Sequence, residues 1–126
     1  MYNIEKNLLN EIKLFQDLRV KDINNFVKLI KKHQNKKIFL CGNGGSASLA
    51  EHFSCDHQKI IFEKTGKKLD FISLTSNISL ITAIGNDIGY EDIFSKQLEM
   101  ASNKNDLLIC ISASGNSKNI IKAIKV

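Results

Sequence analysis

The sequence predicts an α/β fold, a parallel sheet closed on both faces by helices. Three observations carry that expectation. The apolar run Ile38-Phe39-Leu40-Cys41 feeds a turn, Cys41-Gly42-Asn43-Gly44-Gly45-Ser46, that opens a long helical pattern. A second run, Leu107-Leu108-Ile109-Cys110-Ile111, feeds Ser112-Ala113-Ser114-Gly115-Asn116-Ser117 and another helical pattern. Between them, short apolar runs alternate with helical periodicity, the pattern of helices packed over parallel strands.

Taken in order, Ile4, Leu8, Ile12 and Phe15 recur at helical spacing, so residues from about 3 to 18 read as an amphipathic helix. Ile23, Phe26, Val27 and Ile30 repeat the pattern over about 22–34, with Asp22 as the expected N-cap and Lys31, Lys32 and His33 at the favourable C-terminal end. These two helices either cover the sheet or pair with another subunit. The first strand is expected near 37–41. The next helix, about 46–62, has Ser46 as its expected cap and carries Leu49, Ala50, Phe53, Ile60 and Ile61. Gly66 marks a turn, and Phe71-Ile72-Ser73-Leu74 a second strand. Ser76 is the expected cap of a helix with Ile78, Ile81 and Ile84 that stops near Gly85. Asn86-Asp87-Ile88-Gly89 reads as a loop, and Glu91 to about Met100 as a helix with Ile93, Phe94 and Leu98 inward. The third strand, about 106–111, leads through the serine loop to a helix from about Lys118. Residues 1–126 are expected to form one domain, with N-terminal helices over about 1–35 and the sheet-and-helix part over about 36–126.

Charge and cysteine usage narrow the function classes. The net charge of +5 is dispersed over lysine pairs, and Arg19 is the only arginine. Nucleic-acid sites gather Arg and Lys with interleaved aromatics, so no nucleic-acid partner is expected, while an acidic small molecule suits the charge. Cys41, Cys55 and Cys110 are odd in number and form no CxxC, the usage of free thiols in a reducing compartment. No apolar run approaches the roughly 20 residues that span a bilayer. A soluble cytoplasmic chain without a membrane partner is the expectation.

The two loops point to phosphate. In the first, the glycines let the backbone approach a ligand closely ahead of a helix N-terminus with free N–H groups. The segment Gly42-x-Gly44-x-x-Ala47 also matches a dinucleotide fingerprint, yet the second strand ends in Leu74-Thr75-Ser76 without the carboxylate that binds a ribose. The Gly-Lys-Ser/Thr of a nucleotide P-loop is missing too. In the second loop, the hydroxyls of Ser112, Ser114 and Ser117 offer neutral donors suited to a dianionic phosphate ester. A serine-rich cap and turn is the plainer alternative for that loop taken alone. His52 and Asp56 lie four apart, with Ser48 four earlier, on one helix face. They form a surface pair, a half-site for a divalent metal, or an acid–base pair beside the phosphate. His57 is expected to be exposed. Asp87 stands either in a ligand loop outside the carboxyl ends of the strands or in a plain helix-terminal turn.

Together, the Cys-Gly-Asn-Gly-Gly-Ser loop, the Glu51-His52-Phe53 element, Gly85-Asn86-Asp87-x-Gly89-x-x-Asp92-Ile93-Phe94-Ser95 and Ser112-x-Ser114-Gly115-Asn116-Ser117 resemble the sugar isomerase (SIS) domain family, and within it the phosphoheptose isomerase family. The motifs are ordered and span almost the whole chain. The resemblance implies a flavodoxin-like sheet and a homotetramer with shared active sites. It implies a ketose–aldose isomerase that converts sedoheptulose 7-phosphate to D-glycero-D-manno-heptose 7-phosphate for bacterial heptose and lipopolysaccharide synthesis. By position, Ser46, Ser112, Ser114 and Ser117 would hold the phosphate, with Asn43, Gly44 and Gly45 shaping the first loop. His52 matches a zinc-ligand histidine, Asp87 a carboxylate near the sugar, and Asp56 the position of a glutamate that is both base and metal ligand. Asp56 is one methylene shorter than that glutamate, and Ala113 stands where a threonine is usual. The family's remaining metal ligands and acid–base partner, a glutamine and a histidine on a C-terminal helix, have no counterpart before Val126. The chain therefore reads as the front part of a longer domain, inactive by itself. The alternative is a non-catalytic SIS module that binds a phosphosugar or a replication initiator. Such relatives lack the acidic position matched here by Asp56.

Overall fold

The computed structural model of the chain describes residues 3–126, so the first two positions of the expected N-terminal helical segment lie outside the described residues. Two compact units result, one ending at Lys32 and the other His33–Val126. The first holds two helices, α1 (Ile4–Gln16) and α2 (Val20–Lys32). Asn3 caps α1, its side-chain oxygen accepting the Lys6 N–H at 2.9 Å. Helix α2 starts two residues earlier than its apolar periodicity suggests. Asp22 is therefore not the N-cap. It sits in the first turn, where its carboxylate suits the helix dipole and accepts from Arg19 Nε at 2.7 Å. Neither helix has a buried residue.

The second unit runs β1 (Lys37–Gly42), α3 (Gly45–Thr65), β2 (Asp70–Ser73), α4 (Ile78–Asp87), a short 3-10 turn Tyr90–Asp92, α5 (Ser95–Ala101), β3 (Leu107–Ile111) and α6 (Lys118–Ile124). The three strands are parallel in the order β2-β1-β3, the first three places of the flavodoxin-like order. Central β1 is apolar throughout because both of its faces are covered. Its alternate side chains divide between them. Phe39 and Cys41 join Leu74, Ile84, Ile93, Phe94, Leu98, Ile120 and Ala123 in the core beneath α4, α5 and α6. Ile38 and Leu40 point to the opposite face, which α3 covers.

Helix α3 meets that face with small residues, Ala50 and Ser54, and the Ser54 hydroxyl donates to the Phe71 carbonyl at 2.9 Å. Leu49 (51% exposed) and Ile60 are turned outward. A helix lying this close to a sheet accommodates Ala and Ser at the contact line, which rotates the bulkier neighbours away. Asn77, not Ser76, caps α4, its oxygen accepting the Leu80 N–H at 3.0 Å, while the Ser76 hydroxyl donates back to the Ser73 carbonyl. The helix expected from Glu91 to Met100 divides into the 3-10 turn and α5. Ile93, Phe94 and Leu98 are buried as their spacing predicts. Buried Gln97 ties this region to the sheet, donating to the carbonyls of Leu74 and Ile93.

Candidate functional site

Strand β1 ends in a turn that only glycine can make. A Cβ on Gly42 would lie 2.5 Å from the backbone oxygen of Ser46, so the first turn of α3 folds directly over this residue. Gly44 adopts φ +55° and is the N-cap of α3. Ser46 is thus not the cap. It lies within the first turn, its N–H donating to the Asn43 carbonyl at 3.0 Å.

Strand β3 delivers the serine loop alongside, because Cys41 and Gly42 are in register with Cys110 and Ile111. The Gly115 N–H donates to Ser112 Oγ at 3.1 Å and the Asn116 N–H to Ser114 Oγ at 3.2 Å. Both hydroxyls accept from their own loop and keep an O–H to give. Ser117 precedes α6 and makes no side-chain cap bond. Asn43, Ser46, Ser112, Ser114 and Ser117, with Ile111 and Ala113, line one cavity of about 210 Å³. That is below the roughly 300 Å³ at which pockets for whole drug-sized molecules begin, and suits a headgroup rather than an entire ligand. Gly44 and Gly45 shape the turn and do not line the cavity.

Residues absent from the expected site organise it. Asn119, 2% exposed at the start of α6, exchanges two amide hydrogen bonds with Asn43, each 2.9 Å, and its oxygen also accepts the Ile120 N–H. The Tyr90 hydroxyl donates to Asn43 Oδ1 at 3.0 Å. Asp92 accepts from Lys122 Nζ at 2.9 Å, and Glu91 pairs with Lys118 at 2.9 Å, so the 3-10 turn and α6 are also joined by charge. The Lys118 ammonium beside Glu91 holds its carboxyl below the usual range, and Asp92 raises the Lys122 ammonium above its usual value. The one sequence signal for Asn119 is a polar side chain followed at once by Ile120 and Ile121 at the head of a helix. Beneath the loops, Cys41 Sγ and Cys110 Sγ lie 3.6 Å apart. The Cys110 sulfur and then burial push the Cys41 thiol far up.

The acidic candidates lie further along α3 and at the end of α4. His52 Nε2 and Asp56 Oδ2 are 3.1 Å apart on α3, partly exposed. Asp87 is the last residue of α4 rather than a loop residue, and its carboxylate accepts from the Asn86 amide at 2.8 Å. Neither pair lines the serine-loop cavity. His57 is half-buried instead of exposed, stacked on Phe53 at 3.7 Å with Nδ1 against the Phe53 carbonyl. Zinc at a catalytic site takes three protein ligands of His, Cys or carboxylate type. His52 and Asp56 supply two donors of the right chemistry on one face, and no group of three such side chains gathers among the described residues. By themselves they make half of such a site.

The fold is a parallel α/β unit in which two loops converge on a small hydroxyl-lined cavity. A family model for the SIS domain matches residues 6–126, and the chain belongs to that family. It is 52% identical over 97 residues to the phosphoheptose isomerase of Helicobacter pylori strain 26695, covering 75% of this chain and 50% of that protein. It is 46% identical over 101 residues to the phosphoheptose isomerase of Aneurinibacillus thermoaerophilus, covering 79% and 50%. The chain spans about half the length of the curated relatives it matches. The structure is similar to that of phosphoheptose isomerase from Neisseria gonorrhoeae, with a TM-score of 0.84 at 34% identity, covering 97% of this chain and 65% of that one. The Francisella tularensis enzyme gives 0.80 at 31%, covering 96% and 62%.

Proposed function

We propose that the protein acts as a phosphosugar ketose–aldose isomerase on sedoheptulose 7-phosphate, forming D-glycero-D-manno-heptose 7-phosphate. The observation that carries this reading is the convergence of the glycine loop and the serine loop on one small cavity lined by Ser46, Ser112, Ser114 and Ser117. Their hydroxyls donate to the phosphate oxygens and fix the far end of the sugar. Binding energy from a non-reacting group is thereby used to place C1 and C2. Isomerisation then needs a base to take the C1 proton and return one to C2 through an enediol. Asp56 is the assigned base, held by His52, and Asp87 the assigned carboxylate near the sugar. His52 and Asp56 would also hold two positions of a zinc ion, which when bound supplies charge to stabilise the developing oxyanion. The likeness to phosphoheptose isomerases supports the substrate class.

The same reading treats residues 1–126 as one SIS-type domain and places the protein in the cytoplasm as a homotetramer. No helix among the described residues is long and apolar enough to cross a membrane. The exposed apolar side chains of α1 and α2 support assembly. A second reading, a phosphosugar-binding module without catalysis, rests on the serine-loop cavity alone, which neither Asp56 nor Asp87 lines.

The test follows sedoheptulose 7-phosphate in heavy water by NMR, with zinc, using this chain and the full-length protein side by side. Deuterium entering C1 of the ketose with the full-length protein is the expected result. No exchange, together with calorimetric binding of the sugar phosphate, would leave the binding module. Ser112→Ala and Ser117→Ala are each expected to weaken sugar-phosphate binding by about tenfold, the loss of one hydrogen bond to a charged group.

A further inference from the structure

We infer that Asn119 is a positioning residue that locks the two phosphate loops into one cradle, an inference that rests on the phosphate reading above. Asn43 lies in the glycine loop and Asn119 in the first turn of α6, 76 positions apart in the chain. Each amide donates to the other at 2.9 Å, which fixes the two side chains face to face. Asn119 is almost wholly buried, and its oxygen also holds the Ile120 N–H, so the side chain is fixed to the backbone of α6. Asn43 Oδ1 carries a further bond from Tyr90. Its oxygen accepts twice and one of its two N–H groups donates to Asn119, so three protein contacts fix this amide.

The consequence is geometric. Ser46 stands three residues after Asn43, and Ser117 two residues before Asn119, both lining the cavity. The reciprocal bond sets the separation of these hydroxyls before ligand arrives. Without it each loop keeps its own turn, but the two no longer share a fixed spacing. A preorganised donor set then becomes one that the ligand must order. Burial of Asn119 makes the contact selective as well, since its amide is left without water when unmatched.

The experiment measures sedoheptulose 7-phosphate affinity by calorimetry on the full-length protein, with folding monitored by thermal melting. Asn119→Ala, Asn119→Ser, Asn43→Ala and the Asn43→Ala/Asn119→Ala double variant are compared with Ser117→Ala. The expected result is a loss of about tenfold for either single truncation, with the double variant no weaker than the worse single one, as for residues acting as a unit. Asn119→Ser keeps a polar group at the buried site and serves if the alanine variant does not fold. In steady-state kinetics KM rises more than kcat falls, a split that a loss of stability alone does not produce. Wild-type affinity in a folded Asn119 variant, with Ser117→Ala weakened, overturns the positioning role and leaves the phosphate site standing. Wild-type affinity in Ser117→Ala overturns the phosphate site itself, and the inference with it.

Discussion

At the scale of single residues, the cradle depends on atoms that are missing as much as on those present. Gly42 has no room for a methyl group, because the obstacle is the backbone of Ser46 and cannot swing aside. Gly42→Ala should destabilise the protein by about 1–3 kcal/mol, the range for forced overpacking, and should weaken sugar-phosphate binding together with it. Thermal melting and calorimetry on one preparation check both. The thiols should separate by environment. Cys55 is exposed, while Cys41 is fully buried with its ionisation suppressed by Cys110 and by burial. Titration with a thiol reagent is expected to modify Cys55 first and Cys41 only on unfolding. Rapid modification of Cys41 in the folded protein would contradict the packing of β1 against β3.

Between elements, the 3-10 turn and α6 are held by Asn43–Asn119–Tyr90 and by the Glu91–Lys118 and Asp92–Lys122 pairs. Glu91 has its folded-state ionisation pushed down by the hydrogen bond and charge of Lys118. Its contribution to stability is therefore present above the ordinary carboxylate range and lost as pH falls through the depressed folded value. Lys122 is shifted upward by Asp92, so its contribution is present at and below the ordinary lysine range and lost only as pH rises through the raised value. Both pairs are intact at neutral pH. Glu91→Gln should lower the melting temperature slightly at neutral pH, since exposed pairs contribute little. The gap from wild type should close as the solution is acidified below the ordinary carboxylate range. A gap that persists in strong acid would assign the effect to packing rather than charge. None of this cluster was legible in the sequence. Nothing in the chain pairs Glu91 with Lys118 or Asp92 with Lys122 until the fold brings α6 beside the turn.

For the whole molecule, α1 and α2 leave large apolar side chains in solvent, among them Leu8 and Phe15 (72% exposed). Contiguous exposed apolar surface marks association sites. Leu8→Lys with Phe15→Lys is expected to reduce the mass of the assembly in light scattering while far-UV circular dichroism stays close to wild type. An unchanged mass would remove α1 from the subunit contact.

What the sequence by itself determined is what depends on local pattern. The apolar runs are strands because parallel strands buried on two faces need them. Helices follow each loop because apolar residues recur at helical spacing. The glycine and serine loops are set at strand ends by residues that turn chains and offer donors. Caps went astray by one to three residues at Ser76, Ser46 and Asp22, because local sequence marks the ends of a helix less sharply than its apolar face. The tertiary structure alone decided which distant residues meet. It paired Asn119 with Asn43, set Cys41 against Cys110 and joined Lys122 to Asp92. These are contacts between elements, fixed by strand register and close packing, and neither leaves a periodicity in the chain.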